Sequence, residues 1–165
     1  MLTIRFDCSA TEEYLTRLKA KLSNPEPLLK GIGEDVMHST KERFKSSTAP
    51  DGRPWAPNSD VTLQRYGSHW GRKIAAKRMA QKRPLIGESK ALSRTINWQL
   101  LPGGKAVAVG SPMIYAATHQ FGARKHQFGP RTPWGAIPAR PFLGLSDADK
   151  RHILALLERH ITAKN

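Results

Sequence analysis

Between Arg65 and Arg83 the chain carries seven cationic side chains, Arg65, Arg72, Lys73, Lys77, Arg78, Lys82 and Arg83, and no carboxylate. This stretch limits the fold more sharply than any other feature. Unpaired like charges cannot be buried, and their mutual repulsion resists compaction. The core must therefore come from the segments on either side. The pattern predicts that this region is extended or mobile in an isolated subunit, with Lys73 to Lys82 the part compatible with a helix; Gly67 and Gly71 interrupt its beginning.

The flanking segments read as short, alternating elements. Leu2, Ile4 and Phe6 alternate with polar residues, as in a strand with one buried face. Ser9-Ala-Thr-Glu12 has the form of a capping box, and Tyr14, Leu15, Leu18 and Leu22 continue at helical spacing. Pro25 and Pro27 suit a first helical turn. Leu28, Leu29, Ile32, Val36 and Phe44 then mark a second amphipathic helix ending near Lys45, weakened early on by Gly31 and Gly33. Residues 46–60 read as a loop around the Pro50-Asp51-Gly52 turn. One helical turn is expected from Glu88 to Leu92. Ile96, Trp98 and Leu100 predict a strand, Pro102-Gly103-Gly104 a turn, and Val107 and Val109 the returning strand. A short helix fits Met113 to Phe121, a long basic loop 122–137, and a last strand or edge segment Pro141 to Leu145. Ser146 to Asp149 cap a final helix with Ile153, Leu154, Leu157 and Ile161 on its apolar face. The sum is one α+β domain over 1–165. Helices cover a small, mainly antiparallel sheet, and 46–83 and 122–137 are extended loops.

Several function classes fall away. A length of 165 residues fits one domain with a core of its own. No apolar run is long enough to span a membrane, and the charged N-terminus lacks the apolar region of a secretory signal. A single cysteine, Cys8, allows no internal disulfide and points to a reducing compartment. No Gly-x-Ser-x-Gly elbow, phosphate loop, dinucleotide fingerprint or carboxylate cluster occurs. His119 and His126 lack an acidic or cysteine neighbour that would complete a metal site. The reading is a protein with no catalytic residues, metal or cofactor.

The net charge of +14 has two readings of equal weight: a polyanionic partner, or a soluble basic protein kept apart by its own charge. Tyr66, His69 and Trp70 interleave with Arg65, Arg72 and Lys73. Such rings can stack on bases or guanidinium groups, or Tyr66 and Trp70 can pack on each other. DNA and an acidic protein both fit the exposed cations, which also include Arg124, Lys125 and Arg131 in the second loop.

Three blocks carry a resemblance. The first is Pro50-Asp-Gly-Arg-Pro-Trp-Ala-Pro-Asn-Ser59 with Thr62-Leu63. The second is Leu85-Ile-Gly-Glu-Ser-Lys-Ala-Leu-Ser-Arg-Thr-Ile96. The third runs from Val109-Gly-Ser111 through Tyr115-Ala-Ala-Thr-His-Gln-Phe-Gly122 to Ile137-Pro-Ala-Arg-Pro-Phe-Leu-Gly-Leu-Ser146. In this order, from about Leu28 to Ile161, they resemble the phage virion morphogenesis family. The second block departs from the family pattern, with Glu88-Ser-Lys-Ala-Leu92 in place of a Thr-Gly before the leucine.

The resemblance implies a structural protein of the virion, assembled in the bacterial cytoplasm, that completes the tail or joins tail to head. It implies a ring, often hexameric, around the DNA channel, in contact with neck or connector proteins and with tail terminator or tube proteins. A stand-alone basic nucleic-acid-binding module is the alternative. Candidate subunit or neck contacts are Trp55, Tyr115, His119, Gln120, Phe121, Arg140 and Phe142, with the core as the alternative for Trp55 and Phe142 and packing within the subunit, slightly favoured, for Tyr115, His119 and Gln120. Pro141 holds Arg140 in extended backbone, so Arg140 suits a bidentate pair with a carboxylate, Asp147 or a neighbour's acid, with a solvated arginine on a loop as the reading of equal weight. On that reading Arg140→Ala is expected to fold but to fail in joining.

Overall fold

The computed structural model describes residues 9–131 and 135–163. The expected strand at Leu2–Phe6, and Cys8 with it, lie outside these residues. Helix α1 spans Ser9–Ser23 and α2 Glu26–Ser46, separated by the break at Pro25. The Ser9 side chain of the expected capping box is likewise outside the description. Two helices follow, α3 at Asp60–Gly67 and α4 at Arg72–Ala80. A single turn, α5, covers Ala91–Arg94. Strands β1 (Asn97–Leu100) and β2 (Val107–Gly110) form an antiparallel hairpin, with Trp98 opposite Val109. Helix α6 occupies Ala116–Phe121 and α7 Asp147–Thr162. Among the described residues no helix is long and apolar enough to cross a membrane.

Helix α2 is the hub, packing against α7, the β1–β2 hairpin and α5. The hairpin can lie directly on it because Gly33 has no side chain. A Cβ there would come within 2.8 Å of the Trp98 ring and 2.9 Å of Val107. The glycine that weakens the helix in isolation is thus its contact point in the fold. At the other end of α2, Phe44 sits in a cluster with Trp55, Leu92, Ile96, Ala116 and Phe142, backed by Met37, Ile86, Val109 and Met113. Phe44 meets Trp55 edge-on at 5.3 Å and Phe142 at 5.4 Å, geometries that add to the area they bury.

The α+β class holds, with helix and one small antiparallel sheet. Three details of the elements differ from the sequence reading. Pro141–Leu145 enters no ladder among the described residues; its backbone groups bond to side chains instead. Within 46–83, expected to be extended, lie two helices. Arg65, Lys73, Lys77, Arg78 and Arg83 are exposed, and Arg78 and Lys82 lie over aromatic rings, where water and π faces offset the repulsion; a like-charge pair one helical turn apart costs only a few tenths of a kcal/mol. On α7, Leu154 is 58% exposed and Leu156 is half-buried in its place, beside Ile153, Leu157 and Ile161.

Candidate functional site: a tied centre, a cleft and a basic arm

The third sequence block folds around the first. Pro54, Pro57 and Pro141 have no N–H to offer a sheet, so the carbonyls of this region need other donors, and side chains supply them. Arg140 donates from Nε to the Ala56 carbonyl and from a terminal nitrogen to the Pro57 carbonyl, both at 2.7 Å. The carboxylate partner expected for Arg140 is absent among the described residues; Asp147 pairs with Lys150 at 3.0 Å on the surface. Trp55 Nε1 donates to the Pro141 carbonyl at 2.7 Å. Gln120 closes the set. Its Oε1 accepts the Phe142 and Leu143 N–H groups, and its Nε2 donates to the Leu143 carbonyl, all at 3.0 Å.

A second buried cation completes the centre. Arg43, on the α2 face that carries Val36, Thr40 and Phe44, donates to the Phe142 carbonyl at 3.0 Å and the Gly144 carbonyl at 2.9 Å. It also pairs with Asp149. Asp149 is simultaneously the acid of the α7 capping box, accepting from the Ser146 N–H at 2.8 Å. Burial by itself would raise the Asp149 carboxyl; hydrogen bonds from Ser146 and Ser39, with the charge of Arg43, bring it below the ordinary carboxylate range. One carboxylate therefore ties the start of α7 to α2. Arg43 escaped the reading of the sequence, although an arginine in register with an apolar helical stripe is the signal that marks it.

Of the two places open to Trp55 and Phe142, core or interface, both side chains take the first and are buried within the subunit, and Arg140 and Gln120 bond to its interior backbone. The other three candidates lie nearer the surface. His119 is half-buried, with the Tyr115 ring edge-on at 5.8 Å. Its main-chain carbonyl accepts the Arg140 N–H at 2.7 Å, and its buried Nδ1 has no hydrogen-bond partner among the described residues. Burial, and then the neighbouring Arg140 charge, lower the His119 pKa. Ile114 is 97% and Phe121 78% exposed, and Tyr115 is exposed between them in sequence.

His119 and Arg140 line an open cleft of about 980 Å³. Val61, Tyr66, Leu85 and Ile137 give it apolar walls; Arg65, His69, Lys82, Asp60 and Glu88 also line it. Its outer wall is α3, which packs on α4. In this arm Arg78 lies 4.4 Å from the centre of the Trp70 ring and Lys82 4.4 Å from that of Tyr66. The two rings thus pair with cations rather than with each other. Lys82 also donates to the Ile86 carbonyl, and Arg83 to the Lys45 carbonyl at 2.7 Å. Arg65, Lys73 and Lys77 are exposed, and Arg72 begins α4. Arg124, Lys125 and Arg131 are exposed in the second basic segment, away from any ion pair among the described residues. No group of three or more histidine, cysteine or acidic side chains placed to hold a metal occurs among the described residues.

The blocks that meet in this centre are those that carry the resemblance. The chain is 31% identical over 132 residues to the putative capsid assembly protein G of Escherichia phage Mu, across 78% of this chain and 74% of that protein. It is 28% identical over 154 residues to the tail completion protein S of Escherichia phage P2, across 91% and 94%. No solved structure matches it. Residues 6–162 match the phage virion morphogenesis family, a span that begins before and ends beyond the three blocks, and the chain is a member of that family.

Proposed function

We propose that this protein is a non-enzymatic structural component of a tailed bacteriophage that completes the tail or joins it to the head, acting as a ring around the DNA channel. The observation that carries this reading is the near end-to-end similarity to a tail completion protein, 91% of this chain against 94% of that one. Matching whole chains, rather than a shared module, favours a shared role. Arg140, Gln120, Trp55 and Phe142 hold the subunit together; the exposed Ile114, Tyr115 and Phe121 and the cleft beside α3 support a docking surface there for neighbouring copies and neck or tail proteins. Large apolar side chains left in water on a subunit of this kind mark docking surface.

The test is complementation of a phage lacking this protein. Phe121→Ser, Ile114→Ser and the double variant should purify with unchanged melting temperature, yet leave tails and filled heads unjoined or tails incomplete. Full virion yield from the double variant would remove this surface from assembly. Full yield without the protein would remove the assembly role itself.

A further inference from the structure

We propose that the α3–α4 arm binds double-stranded nucleic acid through the phosphate backbone, without reading bases. Four observations converge. First, its charges are not neutralised from within. Arg65, Lys73, Lys77, Arg78, Lys82 and Arg83 have no carboxylate within ion-pair distance among the described residues, whereas α1, α2 and α7 each carry charge pairs. From residue 61 to 146 the chain holds fourteen lysines and arginines against the single acid Glu88, and Asp60 at the start of α3 is the arm's one carboxylate, so the arm's field stays strongly positive.

Second, the arm has a defined shape. Met79 Sδ lies where a side chain on Gly67 would begin, 2.4 Å from an ideal Cβ, which lets the end of α3 and α4 approach closely. Asn58 Nδ2, donating to the Lys82 carbonyl at 3.0 Å, fastens the far end of the arm to the chain ahead of α3. The cations are therefore held at set spacings, Lys73 and Lys77 one turn apart on α4.

Third, the rings that could stack on unpaired bases are already engaged, Trp70 by Arg78 and Tyr66 by Lys82. Base stacking on aromatic platforms is the main source of single-strand affinity, and here it would displace two existing cation–π contacts. Backbone contact to a duplex displaces nothing. Fourth, the arm is ill suited to an acidic protein. Protein interfaces have apolar centres depleted in lysine. On α4, Ala75 and Met79 are half-buried, and the exposed positions include Lys73, Lys77 and Arg78 with Ile74 as the one large aliphatic.

The test uses the purified full chain and a blunt duplex of about 30 base pairs, titrated from low to moderate salt, where each phosphate contact contributes about 0.9 to the slope of log affinity on log salt. K73Q/K77Q should weaken binding about tenfold at low salt and lower the slope by about 2. K19Q/K105Q removes the same charge from exposed sites elsewhere and should leave the slope within error. Equal losses in both variants would overturn the proposal in favour of diffuse charge. Tighter binding to a single strand of equal length, abolished by Trp70→Leu, would overturn the backbone mode. Displacement by polyglutamate at the same charge concentration as competitor duplex would overturn the choice of nucleic acid. The inference is independent of the assembly role: particle yield tests one and the salt slope tests the other.

Discussion

The molecule treats arginine in two opposite ways. In the centre, Arg43 and Arg140 are 6% and 7% exposed, and every contact they make is to a carbonyl, hydroxyl or carboxylate of the same chain. In the α3–α4 arm Arg65, Lys73, Lys77, Arg78, Lys82 and Arg83 stand in water or over rings, with no carboxylate within ion-pair distance among the described residues. The difference shows what each region is for. Buried cations organise a proline-rich backbone that cannot organise itself through a ladder. Exposed, unneutralised cations add nothing comparable to the fold, because surface charges in water contribute little, and so remain available to a partner.

If this contrast is right, the centre should be intolerant of change. Arg43→Ala leaves Asp149 half-buried without its partner and two carbonyls without donors, and should cost about 3–5 kcal/mol, read as a large fall in the urea midpoint with an unchanged slope. A loss below about 1 kcal/mol would mean that water replaces the guanidinium and that the centre is not tied as described. Arg140→Ala comes next, at about 2–4 kcal/mol for two charge-assisted bonds and the packing of the stem. The structure thus replaces the expectation that this variant folds normally and fails only in joining: instability should appear first, in denaturation of the isolated protein.

The third prediction sharpens the boundary between the regions, at His119. In the unfolded chain its ring takes up a proton near the ordinary value of 6.5; in the fold, burial and then Arg140 keep it neutral to lower pH. As pH falls through 6.5 the unfolded chain binds more protons than the folded one, so stability drops with acid. Asp149 acts in the same direction but only below its own ordinary value of 3.8. Melting temperature should therefore decline from pH 7.5 to pH 5, and His119→Gln should flatten that decline. An unchanged pH profile in the variant would assign the decline to other groups. The smallest effect belongs to the arm. K73Q/K77Q should change folding stability by less than about 0.5 kcal/mol, while altering polyanion binding as above. A stability loss comparable to that of Arg140→Ala would erase the contrast.

Much of the architecture was legible because it rests on local chemistry. The break at Pro25, the period of Val36 and Phe44, the alternation around Trp98, the Pro102-Gly103-Gly104 turn and the Ser146–Asp149 cap each depend on residues within one or two turns of each other. The site was less legible. Tyr115, His119 and Gln120 were identifiable as a unit, but not that Gln120 would clamp the Phe142–Leu143 backbone, 22 and 23 residues away. Pro141–Leu145 looks like a strand because its apolar residues and prolines favour extended backbone; whether extended backbone joins a ladder depends on which donors surround it.

By itself, then, the sequence determined α1, α2, α6, α7 and the hairpin, the family, and the separation of an acid-free basic stretch from the segments able to build a core. Periodicity, caps, turn residues and net charge are all properties of neighbouring positions. Only the tertiary structure decided that Arg43 and Arg140 face inward, that Trp55 and Phe142 are buried in the core of the subunit, and that the basic stretch folds into an arm. Those outcomes turn on which unpaired carbonyls and aromatic rings arrive beside each cation, and that depends on contacts spanning as many as a hundred residues of chain.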